Sequence, residues 1–548
     1  MNTERKLTEN ERIKRESNYL RGHLAEALAD TSTGGIPADD QQLLKFLGAT
    51  QQDDRDQRQA RKKAGLEAAY SFMLRLRLPG GCITPAQWLV MDSLASDYGN
   101  DTLKLTTRQA VQIHGIIKTN LRTTLRRIHE ASLGAIASSG DATRNVMVTP
   151  GPAGSPAHAA VLEQATALSR ELEPRTRAYH ELWLGEQKVL SSQAEQEPLY
   201  GATYLPRKFK IAFTLPPDNS VDVFAHDLGF VAITEGEKLL GYNVLAGGGM
   251  GCAYGNKASF PRVADVLGFC RPEEVSEVAR AVLLIHRDFS DRTDRKLSRL
   301  RYTIATRGVE WFRAELRARL GRELPAARPF SLSANADTPP TNPGELLLYV
   351  ECGRVQGALK AALRELAALP LGPFYITGNQ NLLLTGLTPE LRGQVAATLQ
   401  KHGVGEDEKL SGLRRQSGAC TSLPFCPMSF TDSERFLPTL ISRLEPDLRR
   451  LGLWEQGITT RMTGCPNGCT RPYVAELAFV GKGPRKYNIW LGGAPDGSRL
   501  GFIWREAVPA DDIPGVLAPV LERFAAERRA GESFGDWALR CKEALASL

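Results

Sequence analysis

The sequence predicts a mixed α/β (α+β) protein built by duplicating a half-molecule, and three observations carry that expectation. Around two Pro/Gly-rich breaks, TPGPAGSPA (149–157) and SANADTPPTNPGE (333–345), short alternations of strand period interleave with helical patterns, which argues against either pure class. LTTRQAVQIHGI (105–116) is echoed by ITGNQNLLLTGL (376–387), with Thr, Gln and Gly identical and the apolar positions matched. FVAITEGEKLLGYNVLAGG (230–248) is echoed by FVGKGPRKYNIWLGG (479–493): both open Phe-Val, both carry Tyr-Asn and Gly-Gly, and they differ at a hairpin turn. The echoes come in the same order on either side of 333–345. Two halves related by a pseudo-twofold axis follow, with their junction a natural place for a cofactor.

Residues 1–70 read as a helical, charged arm. Thr8-x-x-Glu11 is a capping-box pattern, Gly34-Gly35-Ile36-Pro37 breaks the helix, and a second helical stretch surrounds Leu43–Phe46. The polar run QQDDRDQRQARKKA (51–64) is expected as a solvated face or as a contact surface for another chain or domain. After the first break, AHAAVLEQATALSREL (157–172) has the spacing of an amphipathic helix.

Basic residues recur two apart, the spacing that puts side chains on one face of a strand. FMLRLRLPGG (72–81) pairs Arg75 with Arg77, RKFKIAF (207–213) pairs Lys208 with Lys210, and RLRYTI (299–304) pairs Arg299 with Arg301. Taken as one extended chain, KLTTRQAVQIH (104–114) gathers Lys104, Thr106, Arg108, Gln112 and His114, and Arg144 in TRNVMV is a further candidate. The whole chain is only +7, from 69 Lys+Arg against 62 Asp+Glu. That is too mild for a nucleic-acid binder. So many like-charged neighbours on sheets instead predict a pocket for a polyanion, because adjacent cations repel unless something anionic lies between them.

With 42% apolar residues in 548, global disorder is excluded, and no apolar run is long enough to span a membrane. The polar N-terminus has no signal-like apolar region, so a cytoplasmic location is expected. AGGGMGCAYG (246–255) lacks the third glycine of GxGxxG, and GxxxxGK[ST], HExxH and H-x3-H are missing. Nine cysteines are no disulfide framework. Cys82, Cys252, Cys270, Cys352 and Cys541 are scattered and read as small buried hydrophobes. The other four form Cys420-x5-Cys426 and Cys465-x3-Cys469. Two such pairs, flanked by Pro424, Pro427, Pro466, Gly464 and Gly468, suit loops whose free N–H groups point at sulfur. The pattern favours a [4Fe–4S] cluster and leaves zinc open. A redox cluster without a nucleotide motif implies electrons delivered by another protein.

Together SNYLRG, QQDDRD, RLPGG, LTTRQ, TRNV, YLPRKFK, FVAI, RTDRK, the C-x5-C pair and TGCPNGC resemble the sulfite/nitrite reductase family over nearly the whole chain. RLPGG and YLPRKFK resemble its sulfite-reducing members. QQDDRD and the N-terminal arm resemble the NADPH-linked branch more than the ferredoxin-linked one. The resemblance implies a three-domain pseudo-twofold fold: an arm (1–70), paired ferredoxin-like half-domains (71–140 with 344–412), a first siroheme/cluster domain (141–332), a linker (333–343) and a second siroheme/cluster domain bearing the cysteines (413–548). It implies a siroheme coupled to a [4Fe–4S] cluster, with Cys420, Cys426, Cys465 and Cys469 as cluster ligands and Cys469 also bridging to the siroheme iron. Arg75, Arg144, Lys208 and Lys210 would surround the substrate. Lys104, Arg108, Arg207, Arg299 and Arg301 would meet siroheme carboxylates, and Gln112, His114 and Asn467 would add hydrogen bonds. The implied reaction is six-electron reduction of sulfite to sulfide for cysteine biosynthesis, with an NADPH-dependent FAD/FMN flavoprotein as donor and neither nucleic acid nor membrane as partner. A ferredoxin-dependent sulfite or nitrite reductase is the alternative. A non-catalytic zinc- or cluster-stabilised scaffold that binds nucleic acid is the remote one.

Overall fold

Strands of matched topology repeat along the chain, as the echoes require. The computed structural model describes residues 6–175, 181–184, 187–191, 197–333, 336–337, 339–405 and 409–548; the expected linker therefore falls partly outside the described residues.

One sheet runs β6 (Met147–Val148), β9 (Ile211–Thr214), β10 (Leu228–Glu235), β11 (Lys238–Ala246), β12 (Asp265–Cys270). Its counterpart runs β17 (Ser417–Ala419), β18 (Thr460–Thr463), β19 (Leu477–Gly483), β20 (Lys486–Leu491), β21 (Phe502–Pro509). In both, two parallel pairings are followed by two antiparallel ones. The echoed residues are cross-strand partners: Val231 faces Asn243 in one hairpin, and Val480 faces Asn488 in the other. The repeat is thus a repeat of register, and register decides which face is buried.

Two further sheets exchange edges. The first is β1 (Ala49–Asp53), β2 (Tyr70–Arg75), β5 (Val111–Ile116), β4 (Leu103–Leu105), β14 (Arg354–Val355). The second is β13 (Glu345–Leu348), β16 (Leu382–Thr385), β15 (Phe374–Ile376), β3 (Cys82–Ile83). Each half thus supplies the last strand of the other's sheet. Gly81 and Gly353 make the crossing possible, both at φ +70°; a Cβ on Gly81 would strike the Ile376 carbonyl, and one on Gly353 that of Leu105. The echoed glutamines lock it reciprocally: Gln109 Nε2 donates to Ile376 O at 2.9 Å, and Gln380 Nε2 donates to Leu105 O at 3.1 Å. Trp88 packs edge-on against Phe374 at 5.8 Å across the same seam. A further junction pairs equivalent turns, where Asp222 and Arg471, both in the left-handed region, form a buried ion pair that Arg461 joins at 2.5 Å.

Several local expectations are corrected. The arm is folded onto the body: helices Glu9–Glu16, Leu24–Ala29 and Ala38–Leu44 carry buried Ile13, Leu24, Leu43 and Leu44, and β1 is sheet rather than arm. Thr8 occupies the N-cap but makes no side-chain cap, and the Glu11 carboxylate, the other half of the capping box, is engaged by Lys14 and Arg292. Residues 104–114 are a hairpin turning at Gln109, not one extended chain, although its register still sets Lys104 opposite Gln112. Arg299 and Arg301 are not on a strand. Arg299 caps the helix Leu300–Arg307, whose first five residues are all buried, and a helix buried on every side shows no helical period. The strand expected over 207–213 begins at Ile211, with Lys208 and Lys210 on the extended segment before it. β2 ends at Arg75, so Arg77 leaves that face and donates to Thr143 O and Ser169 O.

Candidate functional site

The two cysteine pairs lie on loops around β17 and β18, parallel neighbours whose C-terminal ends point the same way. All four thiols are free and within electrostatic reach of one another. Among the described residues, no group of three or more His, Cys, Asp or Glu side chains is gathered as a single metal ion requires. Backbone and side-chain donors face the sulfurs as the glycine- and proline-rich loops suggest. Gly464 N–H lies 3.4 Å from Cys420 Sγ, Ser433 Oγ lies 3.2 Å from it, and Asn467 Nδ2 lies 3.5 Å from Cys465 Sγ. Burial pushes the Cys426 thiol up to about 12 and raises Cys420 and Cys465 too. Such thiols become thiolates through metal binding, stabilised by these donors.

Cys469 differs. It is exposed, and it acts electrostatically on Arg75, Lys208 and Lys210. Arg75, Arg108, Arg144, Arg207, Lys208 and Lys210 each stay partly accessible although the residues around them are buried, and we read them as the lining of one cavity, with Arg75, Lys208 and Lys210 in electrostatic reach of Cys469. Among the described residues no carboxylate pairs with Arg75, Arg144, Lys208 or Lys210. Arg75 and Arg144 are aimed by backbone instead: both donate to Ser138 O, at 3.5 and 3.1 Å, and Arg144 also to Gly140 O at 3.0 Å. Enclosure by protein, then Arg207, Arg299 and Arg144, hold the Lys208 ammonium well below its usual range. Enclosure, Arg108 and Lys208 do the same to Lys210. Arg108 is brought down to about 9, first by enclosure and then by Arg471. Its Nη2 is 2.9 Å from His226 Nδ1, whose Nε2 donates to Val221 O at 2.8 Å, which makes Nδ1 the acceptor in the neutral ring.

Other expected residues sit elsewhere. Lys104 is 1% exposed and pairs with Glu434 at 2.8 Å, so it cannot meet a cofactor carboxylate in the cavity. Arg299 commits Nε and Nη2 to Asp227, at 3.2 and 2.7 Å. Gln112 and His114 brace rather than bind: Gln112 Oε1 accepts from Arg75 Nε at 3.0 Å and Nη2 at 2.6 Å, and Gln112 Nε2 donates to His114 Nε2 at 3.3 Å. His114 then bonds Gln52 at 2.9 Å and packs on Phe425, inside the first cysteine loop. Asn467 belongs to the sulfur side. Arg207 leans toward Asp141, 3.9 Å away. Arg301 is buried and donates to Gly251 O and Phe260 O, while its Nη1 has no partner.

Those features test the fit of an anionic macrocycle beside a cluster. Four cations with no carboxylate partner among the described residues, and a buried guanidinium nitrogen with no acceptor there, are what a ring edged with carboxylates would satisfy. The fit extends to residues that the sequence did not single out as site residues. AGGGMGCAYG, without a nucleotide fingerprint, packs on TGCPNGC: Cys252 N–H donates to Pro466 O at 2.8 Å, and a Cβ on Gly468 would collide with Met250 O. Arg55, from the polar run 51–64, donates to Cys426 O and Ser429 O at 3.0 and 2.7 Å. That run is thus partly an intramolecular contact on the cysteine loop.

A fold of two exchanged halves with paired thiol loops facing a cationic cavity defines a redox enzyme family, and comparisons with known proteins agree. Residues 163–324 match the nitrite and sulphite reductase 4Fe-4S domain, and residues 66–131 match the nitrite/sulfite reductase ferredoxin-like half domain. The chain belongs to the nitrite and sulfite reductase family. It is 50% identical over 543 residues to the sulfite reductase [NADPH] hemoprotein beta-component of Myxococcus xanthus (strain DK1622), covering 97% of this chain and 96% of that relative. It is 47% identical over 540 residues to the protein of the same name from Bacillus subtilis (strain 168), covering 97% and 95%. The solved structure of the Mycobacterium tuberculosis NirA protein superposes with a TM-score of 0.80 over 98% of this chain and 97% of that one, at 24% identity, and shares the fold.

Proposed function

We infer that this chain is the hemoprotein component of a cytoplasmic, assimilatory sulfite reductase, which reduces sulfite to sulfide at a siroheme coupled to a [4Fe–4S] cluster. The observation that carries it is the exposed thiol of Cys469 in electrostatic reach of Arg75, Lys208 and Lys210, cations that have no carboxylate partner among the described residues. Cys420, Cys426, Cys465 and Cys469 would hold the cluster, Cys469 would also reach the siroheme iron, and Arg108, Arg207 and Arg301 would meet the ring's carboxylates. When bound, the coupled metal centres supply the six electrons that take sulfur from +4 to −2.

The chain's own residues bind the anion and move protons. Arg75 and Arg144, permanent cations fixed by Ser138 O, Gly140 O and Gln112, bind sulfite oxygens and stabilise charge on them. Three oxygens leave as water, and each departure consumes protons. Lys208 and Lys210 supply them from Nζ, and their lowered proton affinity makes them better acids than a solvated lysine. The relatives' name, sulfite reductase [NADPH] hemoprotein beta-component, supports an NADPH-linked donor, and a separate flavoprotein carrying FAD and FMN fits a chain without a nucleotide motif. Among the described residues no helix is long and apolar enough to cross a membrane.

Absorption and iron content of the purified protein, followed by oxidation of a chemically reduced viologen by sulfite and by nitrite, test this reading. A tetrapyrrole spectrum, cluster iron and turnover favouring sulfite are expected. Preference for nitrite moves the assignment to the other branch of the family, and a colourless zinc protein ends the enzyme assignment.

A further inference from the structure

The N-terminal helix Glu9–Glu16 reaches the segment that bears the cavity lysines through a chain of buried charges. Lys14 and Glu11, 3% and 2% exposed, pair at 2.5 Å, a rare degree of burial for either residue type. Lys14 Nζ also donates to Leu205 O at 2.8 Å and lies 3.5 Å from Asp141. Arg295 holds Asp141 through both oxygens, at 2.8 and 3.0 Å. Arg292 ties Glu11, at 2.5 Å, to Tyr204 O, at 2.7 Å. The two segments so gripped are neighbours: Leu205 N–H donates to Asp141 O, Phe209 N–H to Ala142 O, and Arg144 N–H to Phe209 O. Three residues beyond each anchor stand Arg144 (after Asp141) and Lys208 (after Leu205).

We propose that Lys14 is a positioning residue for the reaction, holding the backbone of 205–210 in register with 141–144 so that Lys208 and Lys210 face Arg144 across the cavity. It touches neither lysine. It acts through one carbonyl and one carboxylate, as a third anchor beside Arg292 and Arg295. A displacement of about 1 Å in a reacting group costs roughly a hundredfold in rate, so a remote anchor of this kind is visible in turnover. The inference rests on Lys208 serving the reaction.

A double-mutant cycle on the holoenzyme, assayed with reduced viologen and sulfite, tests it. Lys14→Met is expected to lower kcat/KM for sulfite at least tenfold while the visible spectrum stays that of the wild type, and Lys14→Arg, which keeps the charge, recovers part of the loss. In a Lys208→Met background the same Lys14→Met change is expected to cost less than twofold. Full additivity of the two changes, or unaltered kcat/KM in Lys14→Met, overturns the proposal. Should Lys14→Met fail to fold, Glu11→Gln loosens the same clamp at nearly constant volume and takes its place in the cycle. If Lys208→Met itself leaves turnover intact, the role given to Lys208 is wrong; if Lys208→Met is slow and Lys14→Met is not, only the positioning role is lost.

Discussion

At the scale of single residues, the cavity separates cations that are neutralised in place from cations held in reserve. Lys104 and Arg299 have their own carboxylates, Glu434 and Asp227; among the described residues Lys208, Lys210, Arg75 and Arg144 have none. Lys208→Met should therefore cut sulfite turnover by about two orders of magnitude, the range for losing a proton donor, while the absorption spectrum shows the cofactors retained. Loss of the tetrapyrrole in step with activity would make Lys208 a structural residue. Glu434 predicts a pH effect instead. Burial alone would raise its carboxyl, but Lys104 and Arg354 pull it from 4.5 to about 2. A depressed acid stabilises the fold above its unfolded pKa and loses that contribution as pH falls. Glu434→Gln should thus cost about 3 kcal/mol at pH 7, a gap that closes between pH 4.5 and 2 in denaturant titrations. The sequence located this site better than it assigned roles within it. Thiol spacing and paired cations were legible because ligand type and charge are properties of the residues themselves. Which cation would be matched by Glu434 or Asp227 was not, since those partners lie 330 and 72 positions away in the chain and no local pattern ties them to Lys104 and Arg299.

At the scale of elements, sequence legibility follows burial geometry. The hairpins β10–β11 and β19–β20 were readable because Phe-Val, Tyr-Asn and Gly-Gly recur in matched order, although β10, β11 and β19 carry unbroken buried runs and only β20 alternates. The helix Leu300–Arg307 was misread because RLRYTI alternates while the residues Leu300–Ile304, which span more than a full turn, are all buried, so the chemistry of the neighbours and not a solvent face selected them. Turn glycines are the sharpest local determinants. Gly353 sits at φ +70° with the Leu105 carbonyl and Gln380 where a Cβ would be. Gly353→Ala is expected to destabilise the protein by roughly 3 kcal/mol through backbone strain plus collision, read as a lowered Tm. A wild-type Tm would mean that the crossing tolerates a side chain.

At the scale of the whole molecule, the halves are joined by matched positions of opposite charge. Asp222 and Arg471 occupy equivalent turns, and duplication became complementarity where one copy kept an acid and the other a base. Asp222→Asn removes the buried carboxylate that Arg461 and Arg471 share, a change expected to cost about 3–5 kcal/mol in global unfolding. If stability is unaffected, this ion pair does not hold the halves together.

The reciprocal placement of β3 and β14 reaches further still. A fragment stopped at the 333–345 segment would keep a strand whose sheet is gone and would present the backbone of β4 bare, an invitation to aggregate. Each repeat completes its own architecture only with a piece of its sibling. Having interlaced in this way, the two copies lost the freedom to part, and they must be translated, folded and inherited as one.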